Sequence, residues 1–290
     1  GGGGDILHSV GPIGSGPMST RSPGPMGRHD HAADQSPWRA PVKKKQEKKP
    51  PTPEVIVFVT KGDEKKMNVF GNAAKVFADL KANRANRIIK VDTVQQATKA
   101  LEGLAPSSLK KVVFLGHGLP PRRETHIDPA NETLETRLRR EGPGFIFKGR
   151  REPDDFYYDD VDNILWASSA HAPSNLFFAR LAEKLAPDAH VYLQSCYSGR
   201  KGSAGSLVKR AANALSPDNS KPVTAAGYEN DLLYERITNE KNGRVIGYGS
   251  RTANQPITPF EELKGFVTNP AGIPPQDVTE KRGSTASSQP

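Results

Sequence analysis

The chain has 290 residues, a formal net charge of +9 and a single cysteine. One cysteine excludes an intrachain disulfide and a cysteine-built metal site, and no stretch approaches the roughly 18 consecutive apolar residues of a membrane span. With no charged-then-apolar leader pattern at the front either, membrane protein, disulfide scaffold and zinc finger all fall away.

Residues 1–50 hold 9 of the 27 glycines and 7 of the 25 prolines, so residues 1–52 are expected to be a disordered tail. That tail carries the basic cluster Lys43, Lys44, Lys45, Lys48 and Lys49, and a His-x-His at His29 and His31. Such a cluster can attract polyanions through counterion release without reading sequence, but here it reads as a solvated linker. No stripe of alternating basic and aromatic residues is present to stack on single strands, so nucleic acid is not an expected partner. The histidine pair is read as linker composition, and no metal or cofactor is expected.

The first strong signal is Val55-Ile56-Val57-Phe58-Val59, apolar on both faces as a central parallel strand is. A polar loop, Thr60 to Lys66, leads to a predicted helix with Asn68 as N-cap and Val69, Ala73, Phe77 and Leu80 on one face. A second strand is predicted at Arg87–Val91. Asp92 or Thr93 then caps a helix carrying Val94, Ala97 and Leu101, and a third strand, Val112–Leu115, ends at Gly116-His117-Gly118. Residues 119–170 interrupt the rhythm with charged and Pro-rich sequence. They contain two aromatic pieces, Phe145-Ile146-Phe147 and Phe156-Tyr157-Tyr158, and read as an insertion, anchored by Trp166, that could form a hairpin. Alternation resumes with a helix over 174–186 bearing Phe177, Leu181 and Leu185 on one face. A fourth strand at Val191–Leu193 runs into Gln194-Ser195-Cys196-Tyr197-Ser198-Gly199. A helix through Leu207, Val208, Ala211 and Leu215, a fifth strand at Val223–Gly227 and a hairpin over 232–248 turning at Asn242-Gly243 complete the pattern. The Pro/Ser/Thr-rich residues 268–290 are expected to be a second disordered tail.

Strand–helix alternation at these spacings predicts an α/β fold, a mostly parallel sheet with helices on both faces, over residues 53–267. Ligands of such sheets sit beyond the carboxyl ends of the strands. The two residues of chemical interest there are His117 and Cys196, which would face each other if their strands are neighbours, about 4.8 Å apart. An imidazole beside a thiol can help form the thiolate nucleophile and then protonate a leaving amine. Backbone N–H groups of Gly118 and Cys196 could stabilise the oxyanion. Gly199-Arg200-Lys201-Gly202-Ser203-Ala204-Gly205 could cradle a phosphate, although it lacks the Gly-Lys-Ser/Thr ending of a P-loop. No G-x-S-x-G elbow exists. His126, His171 and His190 have no ligand-like spacing.

Leu115-Gly116-His117-Gly118 and Leu193-Gln194-Ser195-Cys196-Tyr197-Ser198-Gly199 resemble the His-Gly and Cys blocks of the caspase-like (clan CD) cysteine peptidases. That group includes caspases, metacaspases, legumain-like enzymes and the self-cleaving protease domains of bacterial toxins. The resemblance implies a caspase-like fold with an insertion between strands 3 and 4, a His117–Cys196 dyad, oxyanion donors at Gly118 and Cys196, and a protein or peptide as substrate. It also implies self-processing in an exposed loop or tail and, from the toxin-borne members, a polyanion such as an inositol phosphate as activator. His117 and Cys196 are 79 residues apart, against about 40–50 in that group, which makes residues 119–170 an added segment. Metacaspases, which prefer basic P1 residues, carry an acidic residue two before the cysteine; Gln194 stands there in this chain. An acidic P1 would instead need cations, for which Lys61, Lys65 and Lys66 are placed, with Tyr228, Glu229 and Asn230 as the other wall. Two alternatives remain open at this level: a catalytically silent caspase-like binding module, and a polyanion-regulated toxin protease domain. A free reactive thiol favours a reducing, cytoplasmic setting, with signal-less export also open.

Overall fold

A computed structural model describes residues 52–64, 69–79, 86–123, 128–153, 155–253, 255–259 and 276–283. The basic cluster at 43–49, His29, His31, Lys65, Lys66, Asn68, Leu80 and His126 lie outside these residues, as does the side chain of Phe77. The fold is α/β, built on a six-stranded, mostly parallel sheet. In chain order its first elements are β1 (Val55–Val59), α1 (Val69–Asp79), β2 (Asn86–Ile89), α2 (Val94–Glu102) and β3 (Leu109–Leu115). The insertion contributes β4 (Gly118–Leu119), α3 (Leu134–Glu141), β5 (Gly144–Ile146), β6 (Arg150–Glu152), β7 (Asp155–Tyr157) and β8 (Ile164–Trp166). Then come α4 (Ala172–Lys184), β9 (Leu185–Gln194), α5 (Leu207–Leu215), β10 (Val223–Gly227), β11 (Leu232–Thr238), β12 (Val245–Thr252), β13 (Thr258–Pro259) and β14 (Val278–Arg282). Among the described residues no helix is long and apolar enough to cross a membrane.

The strand order is β14-β10-β9-β3-β1-β2. From β1 the chain steps one way to β2, then returns past β1 to β3 and continues outward to β9 and β10. Because parallel crossovers are right-handed, the reversal sends α1 to one face of the sheet and α2, α4 and α5 to the other. The packing agrees. Ile56, Phe58, Val112, Phe114, Val191 and Leu193 are buried with residues of α2, α4 and α5, whereas Val55, Val57, Val59, Val113 and Leu115 are buried with Phe70, Ala73 and Ala74 of α1. On that second face Tyr234 and Tyr248 of the β11–β12 hairpin also pack against the core. Helices thus lie on both faces, but a hairpin shares the cover on one. Its turn carries Gly243 at φ +67°, a left-handed conformation that glycine adopts without a Cβ penalty.

The capping residues match their chemistry. Thr93, not Asp92, caps α2 by accepting the Gln96 N–H, and Ser206 caps α5 by accepting the Lys209 N–H, each an interaction worth about 1 kcal/mol. His171 caps α4; its ring lies 2.8 Å from both Asp162 and the Ser174 hydroxyl and is almost fully buried. That is a structural role. His190 is exposed and stacks on Tyr192.

Two expectations change. Residues 119–170 form more than a hairpin: β4, β5 and β8 make a small antiparallel sheet, β6 and β7 pair as a hairpin, and α3 stands between β4 and β5. Phe145 and Phe147 join the main core against Phe114 and Phe58, while Trp166 centres a second cluster with Leu138, Ile146 and Ile164. In addition, the segment read as a disordered C-terminal tail contains β14, which pairs antiparallel with β10 and forms one edge of the sheet.

Candidate active site

β3 and β9 are adjacent and parallel, with Leu115 opposite Gln194. His117 and Cys196 each lie two residues beyond that last pair, so the ladder sets both loops at the same height above the sheet. Gly118 lies against the cysteine's own backbone: a Cβ on it would fall 1.9 Å from the Cys196 carbonyl oxygen and 3.0 Å from its nitrogen. Only a residue without a side chain fits there. The two peptide groups expected to serve as oxyanion donors are therefore immediate neighbours.

The ring of His117 is held by Asp63, Phe156 and Phe70. Its Nε2 is 2.8 Å from Asp63 Oδ2. An ionised carboxylate only accepts, so the proton is assigned to Nε2 and the lone pair to Nδ1. Phe156 stacks on the ring at 4.0 Å between centroids, and Phe70 meets it edge-on at 4.8 Å. The backbone N–H of His117 donates to the Thr60 hydroxyl, which itself donates to the Ile146 carbonyl. Asp63 is fixed in turn by Arg151, whose Nε and Nη2 donate at 2.6 and 2.9 Å. Burial pushes the Asp63 carboxyl up, but the hydrogen bonds from His117 and Arg151 outweigh it and hold the group far below the usual carboxylate range. Asp63 follows β1 and His117 follows β3. Their pair spans the point where the strand order reverses, the position at which α/β sheets bind ligands.

The sulfur faces elsewhere. Cys196 Sγ accepts the Leu232 N–H at 3.3 Å and donates to the Leu232 carbonyl at 3.5 Å. Burial pushes this thiol up to about 11, and the nearby Asp231 adds to the effect, so the thiol is protonated at neutral pH. Among the described residues no hydrogen bond joins the sulfur to the ring. Tyr197, the next residue, sits at φ +61°. Its N–H donates to the Asn230 carbonyl, and the Gly199 N–H donates to Tyr228.

The expected specificity residues are placed differently. Gln194 and Tyr228 are both fully buried, and the Gln194 amide donates to the Tyr228 hydroxyl at 3.0 Å. They support the cysteine loop from beneath and present nothing to a substrate. Burial pushes the Tyr228 hydroxyl far up. The Lys61 ammonium is taken by Asp92, which also accepts from Lys148. Glu229 is exposed, and its backbone accepts from Arg200 and donates to Asp277. The 228–230 wall thus braces the loop of Cys196. Asp63, Arg151 and Phe156 were not foreseen. Asp63 stood in the strand-end loop whose lysines drew attention, whereas nothing local marks Arg151 or Phe156, because only the fold of the insertion brings them to the ring.

No family model matches the chain, and neither a curated protein nor a solved structure is significantly similar to it. What can be said of its chemistry rests on its own residues.

Proposed function

We propose that the chain is a cysteine peptidase of caspase-like type, with Cys196 as nucleophile and His117 as acid–base. The observation that carries this reading is the register-matched placement of the two residues on neighbouring parallel strands, with Gly118 pressed against the cysteine backbone. In the reaction the Sγ proton passes to the imidazole and the thiolate adds to a peptide carbonyl. The resulting oxyanion is met by the N–H groups of Gly118 and Cys196. Collapse expels the amine, which takes the proton from His117, and leaves a thioester; water, deprotonated by the same ring, then releases the acid. Asp63 keeps the ring in the tautomer with Nδ1 basic, and Arg151 keeps Asp63 ionised. Turnover requires the sulfur to leave Leu232 and turn toward the ring as substrate enters.

The engagement of the sulfur by Leu232 favours a second reading, a silent binding module of the same fold. Thiol chemistry separates the two. A peptidase loses all cleavage of a proteome-derived peptide library on Cys196→Ala while keeping its melting temperature, and a peptidyl acyloxymethyl ketone labels Cys196 in the parent. Cleavage that persists in Cys196→Ala, or a folded parent that neither cuts nor takes the label, overturns the peptidase reading.

A further inference from the structure

The β6–β7 hairpin has two faces, and the chemistry above uses only part of one. Its register sets Arg151 opposite Phe156, Arg150 opposite Tyr157 and Glu152 opposite Asp155. Side chains paired across a ribbon share a face, so Arg151 and Phe156 point the same way. That way is toward the imidazole: Arg151 holds Asp63, and Phe156 lies over the His117 ring at 4.0 Å with 25° between the planes. The other face looks outward, with Tyr157 46% exposed and Arg150 paired with Glu152 and Asp159. The base of the hairpin is tied to the chain beyond β1, since Lys61 N–H donates to Phe147 O and Gly149 N–H donates to Lys61 O. A Cβ on Gly149 would fall 2.4 and 2.8 Å from two atoms of the Phe156 ring, so a bare glycine is what lets that ring settle there. Phe156 itself is half-buried, and the His117 side chain keeps 23% of its surface exposed, enough to be reached.

We propose that, on the peptidase reading above, Phe156 is the wall that receives the residue following the scissile bond, so that cleavage is fastest before an aromatic or large aliphatic residue. Strand order carries this. The sheet runs β10-β9-β3-β1, so the loops along its carboxyl edge follow one another as 228–232, Cys196, His117 and 60–63. A peptide bond attacked by Sγ and protonated from Nδ1 has its carbonyl carbon toward β9 and its nitrogen toward β3. The acyl part then extends toward 228–232, and the leaving part extends toward the loop beyond β1, to which the β6–β7 hairpin is tied. With its nitrogen within about 3 Å of Nδ1, the leaving residue starts its side chain within one side-chain length of the ring stacked on that imidazole. The surface it meets there is apolar carbon, because the Arg151 guanidinium is committed to Asp63. Covering half-buried aromatic carbon is favourable, and an aromatic residue adds offset or edge-to-face stacking. A glycine in the same place gains neither.

The test compares the full-length parent with Phe156→Ala and Tyr157→Ala. Digestion of a proteome-derived peptide library first reads which residues stand on either side of the cut; two peptides that differ only in Phe or Gly just after it are then timed. The parent is expected to cut the Phe peptide with about tenfold higher kcat/KM than the Gly peptide. In Phe156→Ala that ratio is expected to fall to about two or less, with the preference before the cut unchanged. Phe156 also steadies the imidazole, so both rates can drop together in this variant, but a shared loss leaves the ratio alone. Tyr157→Ala alters the outer face of the same hairpin and is expected to keep the parent's ratio. No distinction by the parent after the cut, a ratio that survives Phe156→Ala, or an equal fall in Tyr157→Ala overturns the proposal. Cleavage with a flat preference after the cut keeps Cys196 and His117 as peptidase residues and removes only the Phe156 wall. No cleavage and no label on Cys196 removes the dyad, and the wall with it.

Discussion

Asp63 shows how much one side chain can settle. A carboxylate 2.8 Å from the imidazole decides which ring nitrogen carries the proton, and the two-pronged grip of Arg151 makes that carboxylate hard to protonate. Its pKa is depressed in the folded chain relative to about 4 in the unfolded one. The stability it contributes is therefore full above that pH and is lost as acid takes the solution down toward the folded value. Asp63→Asn is expected to lower unfolding free energy by about 2 kcal/mol near neutrality, with the gap from the parent narrowing steadily as pH falls below about 4 toward the depressed folded value. Urea unfolding across that range checks it; a gap independent of pH means that charge is not what fixes the ring. Asp63 was within reach of sequence reasoning, since it lies just past a strand end. Arg151 and Phe156 were not, because their closeness to His117 spans 34 and 39 residues of chain with no helical or strand period to place it.

Elements were legible in proportion to how much of each is buried. β1, β10 and α5 fall where their apolar patterns put them, since their apolar residues are almost wholly covered. α3 buries only Leu138, so its charged sequence gave no apolar stripe; its one local sign was Thr133, which accepts the Thr136 N–H as N-cap. β14 was read as tail for a related reason. Val278-Thr279-Glu280-Lys281-Arg282 is an edge strand, and edges carry charge to discourage pairing with other chains. Yet it does structural work: Asp277 accepts the Glu229 N–H, and Val278 packs against the core. Ending the chain at residue 275 is expected to lower the melting temperature and, by baring the edge of β10, to produce dimers or larger species. Differential scanning fluorimetry and light scattering test this; an unchanged monomer of equal stability would show that the sheet closes without its last strand.

At the scale of the whole molecule, the insertion and the sheet share one core. Phe145 and Phe147 enter the aromatic cluster of Phe58, Phe114 and Phe177, while Trp166, 19 residues after Phe147, reports on the insertion's own cluster. With such overlap the two should unfold together. In a Trp38→Phe chain, where Trp166 is the only indole, the fluorescence midpoint in urea is expected to coincide with that of far-UV circular dichroism. An earlier fluorescence transition would mark the insertion as a separately melting unit. The topology was readable because strand–helix spacing and crossover handedness leave few ways to arrange it; the hairpin's share of one face was not, since nothing in an alternating strand says which layer it will cover.

The offset of two residues past Leu115 and past Gln194 has a last consequence. Separation between ring and sulfur is written into the hydrogen-bonded ladder of β3 and β9, deep among side chains that never meet a ligand. Exchanging one hydrophobic residue for another there leaves the spacing alone. Adding or removing a single residue within 112–115 or 191–194 turns the following side chain to the opposite side of the sheet. The constraint on this site is thus one of counting, and it falls on positions that carry no chemistry of their own.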